Sequence, residues 1–269
     1  MTAAARRRWL MYLSAVVLLG FLLLPLLLIV PMSLTSGTSL AFPPPGLSLR
    51  WYQELLDDGR WLASFGTSVT IATAATALSC ALGIPAAIGL AWGRFPGKRI
   101  IYAIAAAPLV VPAVIVAVAS FYFFSGIGLV GNRWSIILVH TAMAVPVVLT
   151  TVVASLSGFD RTLMRAAASL GAGPWRAFLK VLLPLIAPGV VTGAIIAFII
   201  SFDEIVVASF LSSAGDRTLP RMIFSGVRES VSPAIASVAV LLIAFSALLL
   251  AAIGWLQSRS SRGRTDVQP

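Results

Sequence analysis

Six long apolar runs alternate with short polar stretches along the chain. They extend from about Trp9 to Met32, Phe65 to Trp92, Ile100 to Phe124, Ser135 to Leu156, Leu185 to Leu211 and Ala234 to Leu256. Each reaches the roughly 20 apolar residues that a helix needs to cross a bilayer core. The pattern therefore predicts six transmembrane helices and an all-α polytopic membrane protein forming one transmembrane domain over residues 1–269. No stretch between the runs approaches the about 50 residues of a small soluble domain. The longest, Ser33 to Ser64, reads as a Pro43-Pro44-Pro45-Gly46 turn followed by a short helix from Trp51 to Leu56. Trp and Tyr favour the membrane interface, so this helix is expected to lie there. The first run follows Arg6, Arg7 and Arg8 and is longer than the 7–15 residues of a signal-peptide core, so it is expected to be a retained anchor.

The segment from Phe159 to Pro184 has a different pattern. Leu163, Ala166, Ala167 and Leu170 recur at helical spacing and form one apolar face. Gly171 suits the position just past a helix end, and Gly173-Pro174 suits a stop. Pro174 also fits the first turn of a second helix, from Trp175 to Leu183. The expected result is a helix–turn–helix with a small-residue knob, suited to a groove on a partner protein.

Composition narrows the class. The chain is 59% hydrophobic and 10% charged, far below the roughly one quarter charged residues of soluble domains. That excludes disorder and a soluble enzyme. A single cysteine, Cys80, excludes a disulfide scaffold. The net charge of +10 would suggest nucleic acid in a soluble protein, but here the basic residues sit at the ends of apolar runs. One side collects Arg6, Arg7, Arg8, Arg94, Lys98, Arg99, Arg161, Arg165, Arg176, Lys180, Arg259, Arg262 and Arg264. The other has Arg50, Arg60, Arg133, Arg217, Arg221 and Arg228. The positive-inside rule places the first group, and with it both termini, in the cytoplasm. No nucleic-acid partner is expected; the lipid bilayer is.

Few residues carry chemistry. Asp203 and Glu204 interrupt the fifth run in its outer part, 18 positions past Leu185 or roughly 27 Å along a helix. Two readings stand side by side. One acid faces a solute pathway while its neighbour contacts an adjacent helix; or the pair is hydrated from outside, or caps a broken helix. His140 stands alone in the fourth run and reads as a packed, hydrogen-bonded histidine. Phe121 to Phe124 reads as an aromatic belt. Gly93 to Arg99 imitates a phosphate loop but is one residue short between its glycines and has Arg99 where a Mg²⁺-binding hydroxyl is needed. No metal or catalytic cluster is evident.

The 159–184 segment resembles the EAA loop of permease subunits in binding-protein-dependent ABC importers. That pattern is an acidic residue, two alanines, a spacer, a glycine and an apolar–Leu–Pro ending. Ala166, Ala167, Gly171, Leu183 and Pro184 match it. Arg165 stands where the family usually has Glu, and Ser169 where Asp is frequent. The stretch from Ser201 is similar to the second permease of spermidine/putrescine-type importers. It includes Phe202 to Val207, Thr218-Leu219-Pro220, Ile223 to Ser225, Val227-Arg228 and Val231 to Ile235.

The resemblance implies a MetI-like ABC importer architecture and a non-enzymatic transport subunit in a bacterial inner membrane, working by alternating access. It implies a second permease subunit, a cytoplasmic ATPase dimer holding ATP and Mg²⁺, and an extracytoplasmic solute-binding protein, with no cofactor on this chain. Arg165, Ala166, Ala167, Ser169, Leu170, Gly171 and Pro184 are then expected to couple to the ATPase, and Asp203 and Glu204 to line the pathway of a polyamine. Ferric ion, opines and other amines are the competing solutes. An ion-coupled secondary transporter is the rival class, disfavoured by the lack of an inverted repeat.

Overall fold

The computed structural model describes residues 3–213, 215–229 and 232–265. Val231 lies outside them, as do the side chains of Arg6, Glu229, Arg259, Arg262 and Arg264. The regular structure of the described residues is all helical, with one isolated antiparallel bridge between Thr35 and Leu47. Among the described residues, five helical segments are long and apolar enough to span a bilayer: Arg7–Ser33, Gly59–Trp92, Arg133–Ser157, Pro174–Phe202 and Pro233–Ala252. A bent pair, Lys98–Leu109 with Ala113–Gly126, makes a sixth if counted as one span.

The chain divides into two compact units. One comprises residues 1–62 and 223–245. Its first helix, α1 (Ala3–Ser33), exposes apolar side chains from Trp9 to Val30, as a helix solvated by lipid or by another chain would. The helix expected after the prolines is present as α2 (Arg50–Asp57), with Trp51 and Leu55 buried at i, i+4. The end of α1 is tied twice. Ser33 Oγ lies 2.7 Å from the Tyr52 hydroxyl, and the Ser237 hydroxyl donates to the Ser33 carbonyl at 3.0 Å. Ser237 belongs to α12 (Pro233–Thr265).

The other unit comprises residues 63–222 and 246–269. It holds most of α3 (Gly59–Trp92), then α4 (Lys98–Ala106), α5 (Ala113–Gly126) and α6 (Arg133–Ser157). The third apolar run was expected to be one span, but it is broken. A 3₁₀ turn, Ala107–Leu109, ends α4, and α5 starts afresh with Pro112 as its N-cap, 98° away in direction. Pro108 and Pro112 lack the N–H groups that would continue the helix, and hydropathy carries no trace of this.

Helix α6 is the most buried of the long helices in this unit. One apolar cluster gathers Ala87, Leu90, Val148, Val152, Leu156, Leu182 and Ile186. A second gathers Ile71, Ala117, Phe124, Ile136, Val139, Val207 and Leu211. Both use α6, and His140 falls between them along it. In lipid, helices associate by close packing rather than by hiding from water, so small residues sit at the contacts. A Cβ on Gly83 of α3 would stand 2.9 Å from Val148 Cγ1, and one on Gly193 would stand 3.2 Å from Val148 Cα.

Candidate functional site

Two places in the second unit concentrate the residues singled out by sequence. The first is the hairpin after α6. Asp160 opens it: its carboxylate accepts from the Thr162 N–H at 2.8 Å and from the Thr162 hydroxyl at 2.5 Å. These bonds hold the Asp160 carboxyl below the usual carboxylate range. Arg161 donates to the Ala91 carbonyl at 3.3 Å and lies 5.2 Å from the Trp92 ring centroid. Trp92 in turn packs on Phe159. The hairpin is thereby tied to the end of α3.

Helix α7 (Thr162–Ser169) follows. Gly171, at φ +81°, ends it as the sequence predicts. The Gly171 N–H bonds to the Ala168 carbonyl and the Ala172 N–H to the Ala167 carbonyl, both at 3.0 Å. This is a Schellman end, and the left-handed residue at its centre favours glycine. Gly173 is extended and Pro174 opens α8 (Pro174–Ala177). The second helix does not stop at Leu183. It passes through a π turn, Phe178–Leu182, into α9 (Leu183–Phe202). Pro184 thus sits in a continuous rod, one residue past a widened turn in which the Leu183 N–H reaches back to Phe178. Such a turn accommodates a residue that lacks an N–H.

The apolar face of α7 points away from the unit. Leu163, Ala166 and Leu170 are exposed, Leu170 at 88%, and Ala167 is half-buried; Met164 and Phe178 make the contacts inward. Trp175 is 68% exposed beside them. Arg165 is exposed, and the Ser169 hydroxyl donates to its carbonyl at 3.1 Å. An apolar knob of this kind calls for a protein surface to cover it.

The second place is the break after α9. The chain leaves the helix at Phe202 and resumes as α10 (Val206–Leu211). Asp203 and Glu204, adjacent in sequence, have opposite surroundings. Asp203 is exposed, with its N–H still bonded to the Ile199 carbonyl. Glu204 is buried at 8% exposure. Its Oε1 accepts the Val206 N–H at 3.0 Å and its Oε2 the Ala208 N–H at 3.2 Å. It therefore caps α10, satisfying donors that a helix start leaves open. The far end of α10 is held by Arg221, which donates to the Ser212 and Ser213 carbonyls at 3.0 and 3.1 Å and also contacts the Ser212 hydroxyl. A carboxylate at the start and a guanidinium at the end both complement the helix dipole. Arg133 and Asp216 close the same end of the unit with an ion pair.

His140 is not solitary. Its Nδ1 lies 2.8 Å from Ser201 Oγ, and its Nε2 lies 3.5 Å from Glu204 Oε2. Sequence reading looked for partners along its own helix and found none. The available signal was depth: His140 lies seven residues into α6 from one end, and Ser201 and Glu204 bracket the end of antiparallel α9. Among the described residues, no group of three His, Cys, Asp or Glu side chains is placed to hold a metal ion.

Membrane-length helices, one of them broken at a carboxylate and another ending in an exposed hairpin, define a transport permease fold. Solved structures share it. The chain matches a subunit of a bacterial ABC transporter that imports the acidic polysaccharide alginate, with a TM-score of 0.74 over 94% of this chain and 98% of that one, at 18% identity. The MetNI methionine ABC transporter matches at a TM-score of 0.56 and 21% identity, over 81% of this chain and 98% of that one.

The chain belongs to the family of binding-protein-dependent transport system inner membrane components, whose pattern it matches over residues 79–265. It is 35% identical over 263 residues to the putrescine transport system permease protein PotI of Escherichia coli (strain K12), covering 94% of this chain and 93% of that protein. It is 34% identical over 205 residues to the spermidine/putrescine transport system permease protein PotC of Haemophilus influenzae, covering 76% and 80%. It is thus a multi-pass protein of a bacterial inner membrane and a transport subunit rather than an enzyme.

Proposed function

We propose that this chain is a permease subunit of an ABC importer for putrescine, spermidine or a closely related polyamine, working by alternating access. In this reading it crosses the membrane six times, the bent α4–α5 pair counting as one crossing, with both termini in the cytoplasm. It pairs with a second permease subunit, receives solute from an extracytoplasmic binding protein and is driven by a cytoplasmic ATPase dimer. ATP and Mg²⁺ reside on that dimer, and this chain carries no cofactor. The knob built from Arg165, Ala166, Ala167, Ser169, Leu170 and Gly171 docks in the ATPase. Pro184, in the rod that begins at Pro174, passes the motion to α9. Because α8, the π turn and α9 form one rod, a push on the knob is delivered to the break at Asp203. Asp203 meets the cationic solute directly, while Glu204 adds fixed negative charge behind it. Such charge stabilises a cation in a low-dielectric path.

The observation that carries this reading is the exposed knob of α7, ended by Gly171 and joined through the Gly171–Gly173 turn to a membrane helix that ends at two carboxylates. The test uses the complex purified with its companion chains and placed in liposomes. Saturable uptake of labelled putrescine or spermidine that requires ATP is expected. Leu170→Cys should crosslink to the ATPase chain. Uptake that persists without the ATPase and collapses with an ion gradient would instead establish a secondary transporter.

A further inference from the structure

His140 is the single histidine of the chain. Its side chain is fully buried and lies between the two apolar clusters of α6. One ring nitrogen has a clear partner, Ser201 Oγ at 2.8 Å. The other, Nε2, makes no hydrogen bond, yet it faces Glu204 Oε2 at 3.5 Å. That separation exceeds a normal hydrogen bond by about half an ångström.

The chemistry of the three groups fixes their roles. An ionised carboxylate only accepts, so the nitrogen facing Glu204 must carry a proton. In a neutral imidazole Nδ1 is then an acceptor, and the Ser201 hydroxyl donates to it. Ser201 therefore donates to His140, and the Nε2–H of His140 points at Glu204 as a dipole facing a charge at 3.5 Å rather than as a hydrogen bond. Glu204 has no freedom to turn toward a solute. Both of its oxygens hold the backbone of α10, and turning would uncap that helix and leave a buried imidazole N–H facing nothing. Asp203, one residue earlier, is exposed, and its carboxylate caps no helix among the described residues.

We propose that His140 is a positioning residue for transport. Held by Ser201 as the Nε2–H tautomer, it braces Glu204 over the start of α10 from the neighbouring helix α6. The brace fixes the angle of the break and hence where Asp203 is presented. The role of Asp203 rests on the polyamine reading above; the brace itself does not.

Two measurements on the full complex test it. In liposomes, His140→Ala should raise the half-saturating putrescine concentration about tenfold while the maximal rate changes by no more than about twofold. His140→Gln, whose carboxamide can donate to Glu204 and accept from Ser201, should return it to within about threefold of the native value. A loss confined to the maximal rate, or no rescue by Gln, would overturn the proposal, since general damage to packing would behave that way.

The second measurement is nitrogen NMR of histidine-labelled complex, with the His140 signals identified by their loss in His140→Gln. The Nε2–H tautomer is expected, with a shift in Glu204→Gln. The Nδ1–H tautomer, or signals indifferent to Glu204→Gln, would sink the brace. If polyamine uptake is absent but the tautomer and its response to Glu204→Gln hold, the solute assignment fails and the brace stands.

Discussion

Two acids 44 positions apart, Asp160 and Glu204, show how a carboxylate acquires its task from its immediate partners. Glu204 is spent on backbone N–H groups inside the unit. Asp160, at the start of the exposed hairpin, does a similar service for α7 through Thr162. Because the Thr162 hydroxyl and N–H favour the ionised form, the folded carboxyl titrates below its ordinary range. A depressed value contributes stability that is complete above the ordinary range and is lost as pH falls through the folded value. Hydrogen exchange at Thr162 and Leu163, corrected for intrinsic rates, is therefore expected to stay level from neutral pH down to about pH 4 and to quicken below it. Asp160→Asn keeps an oxygen acceptor for the Thr162 N–H but removes the charge, and should abolish that pH dependence. Equal acid sensitivity in Asp160→Asn would show that another group controls the turn.

At the scale of helices, the tightest packing joins α6 to α9 across two glycines one turn apart. A Cβ on Gly189 would meet Ser155 Cβ at 2.8 Å and the Thr151 carbonyl at 3.1 Å; one on Gly193 would meet Val148 Cα at 3.2 Å and crowd Thr151 Oγ1. Backbone atoms cannot yield as a side chain tip can. Gly193→Leu is expected to cost about 1–3 kcal/mol through overpacking, seen as a lowered midpoint of thermal unfolding in detergent. Gly89→Ala on α3, where nothing lies within 4 Å of the added carbon, should be neutral or stabilising by about 0.5–1 kcal/mol. Equal losses in both variants would remove the case for a glycine-dependent contact.

Helix α3 is rich in small residues, and Ala72, Ala75 and Ala87 are fully buried. On α9 apolar residues surround the glycines and hydropathy is uniform, so nothing in the sequence singles them out. The Schellman end at Gly171 was legible because a glycine past a helical period is a local signal. The 98° bend before α5 was not, because prolines inside an apolar run do not disclose how sharply the chain turns. The His140–Glu204 pairing was illegible for a third reason: it joins residues 64 positions apart on different helices, and only tertiary packing brings them together.

For the molecule as a whole, the strongest constraint is the sidedness of charge. Within the second unit the ends sort consistently. Arg161 reaches the last turn of α3 at one end, while Arg133 pairs with Asp216 and the Gly131 N–H bonds to the Leu211 carbonyl at the other. The loop after α3 and the hairpin after α6 thus share a side, and the α5–α6 connection and the segment that follows α10 share the opposite one. The first side carries Arg94, Lys98, Arg99, Arg161, Arg165, Arg176 and Lys180. In the orientation proposed above that side is the cytoplasmic one, where an anionic inner leaflet and an inside-negative potential favour cations. The basic segments at Arg6–Arg8 and Arg259–Arg264 fall on that same side if two helices cross before the loop after α3 and two cross after the hairpin, so the location of the tail reports the number of crossings that follow the hairpin. In a Cys80→Ser background, an impermeant thiol reagent applied to intact spheroplasts is expected to label Arg217→Cys. Ser169→Cys and Arg262→Cys should react only after the membrane is opened. Labelling of Arg262→Cys from outside, with Ser169→Cys still protected, would mean an odd number of crossings between the hairpin and the tail. Labelling of Ser169→Cys from outside would place the knob where no ATPase could reach it.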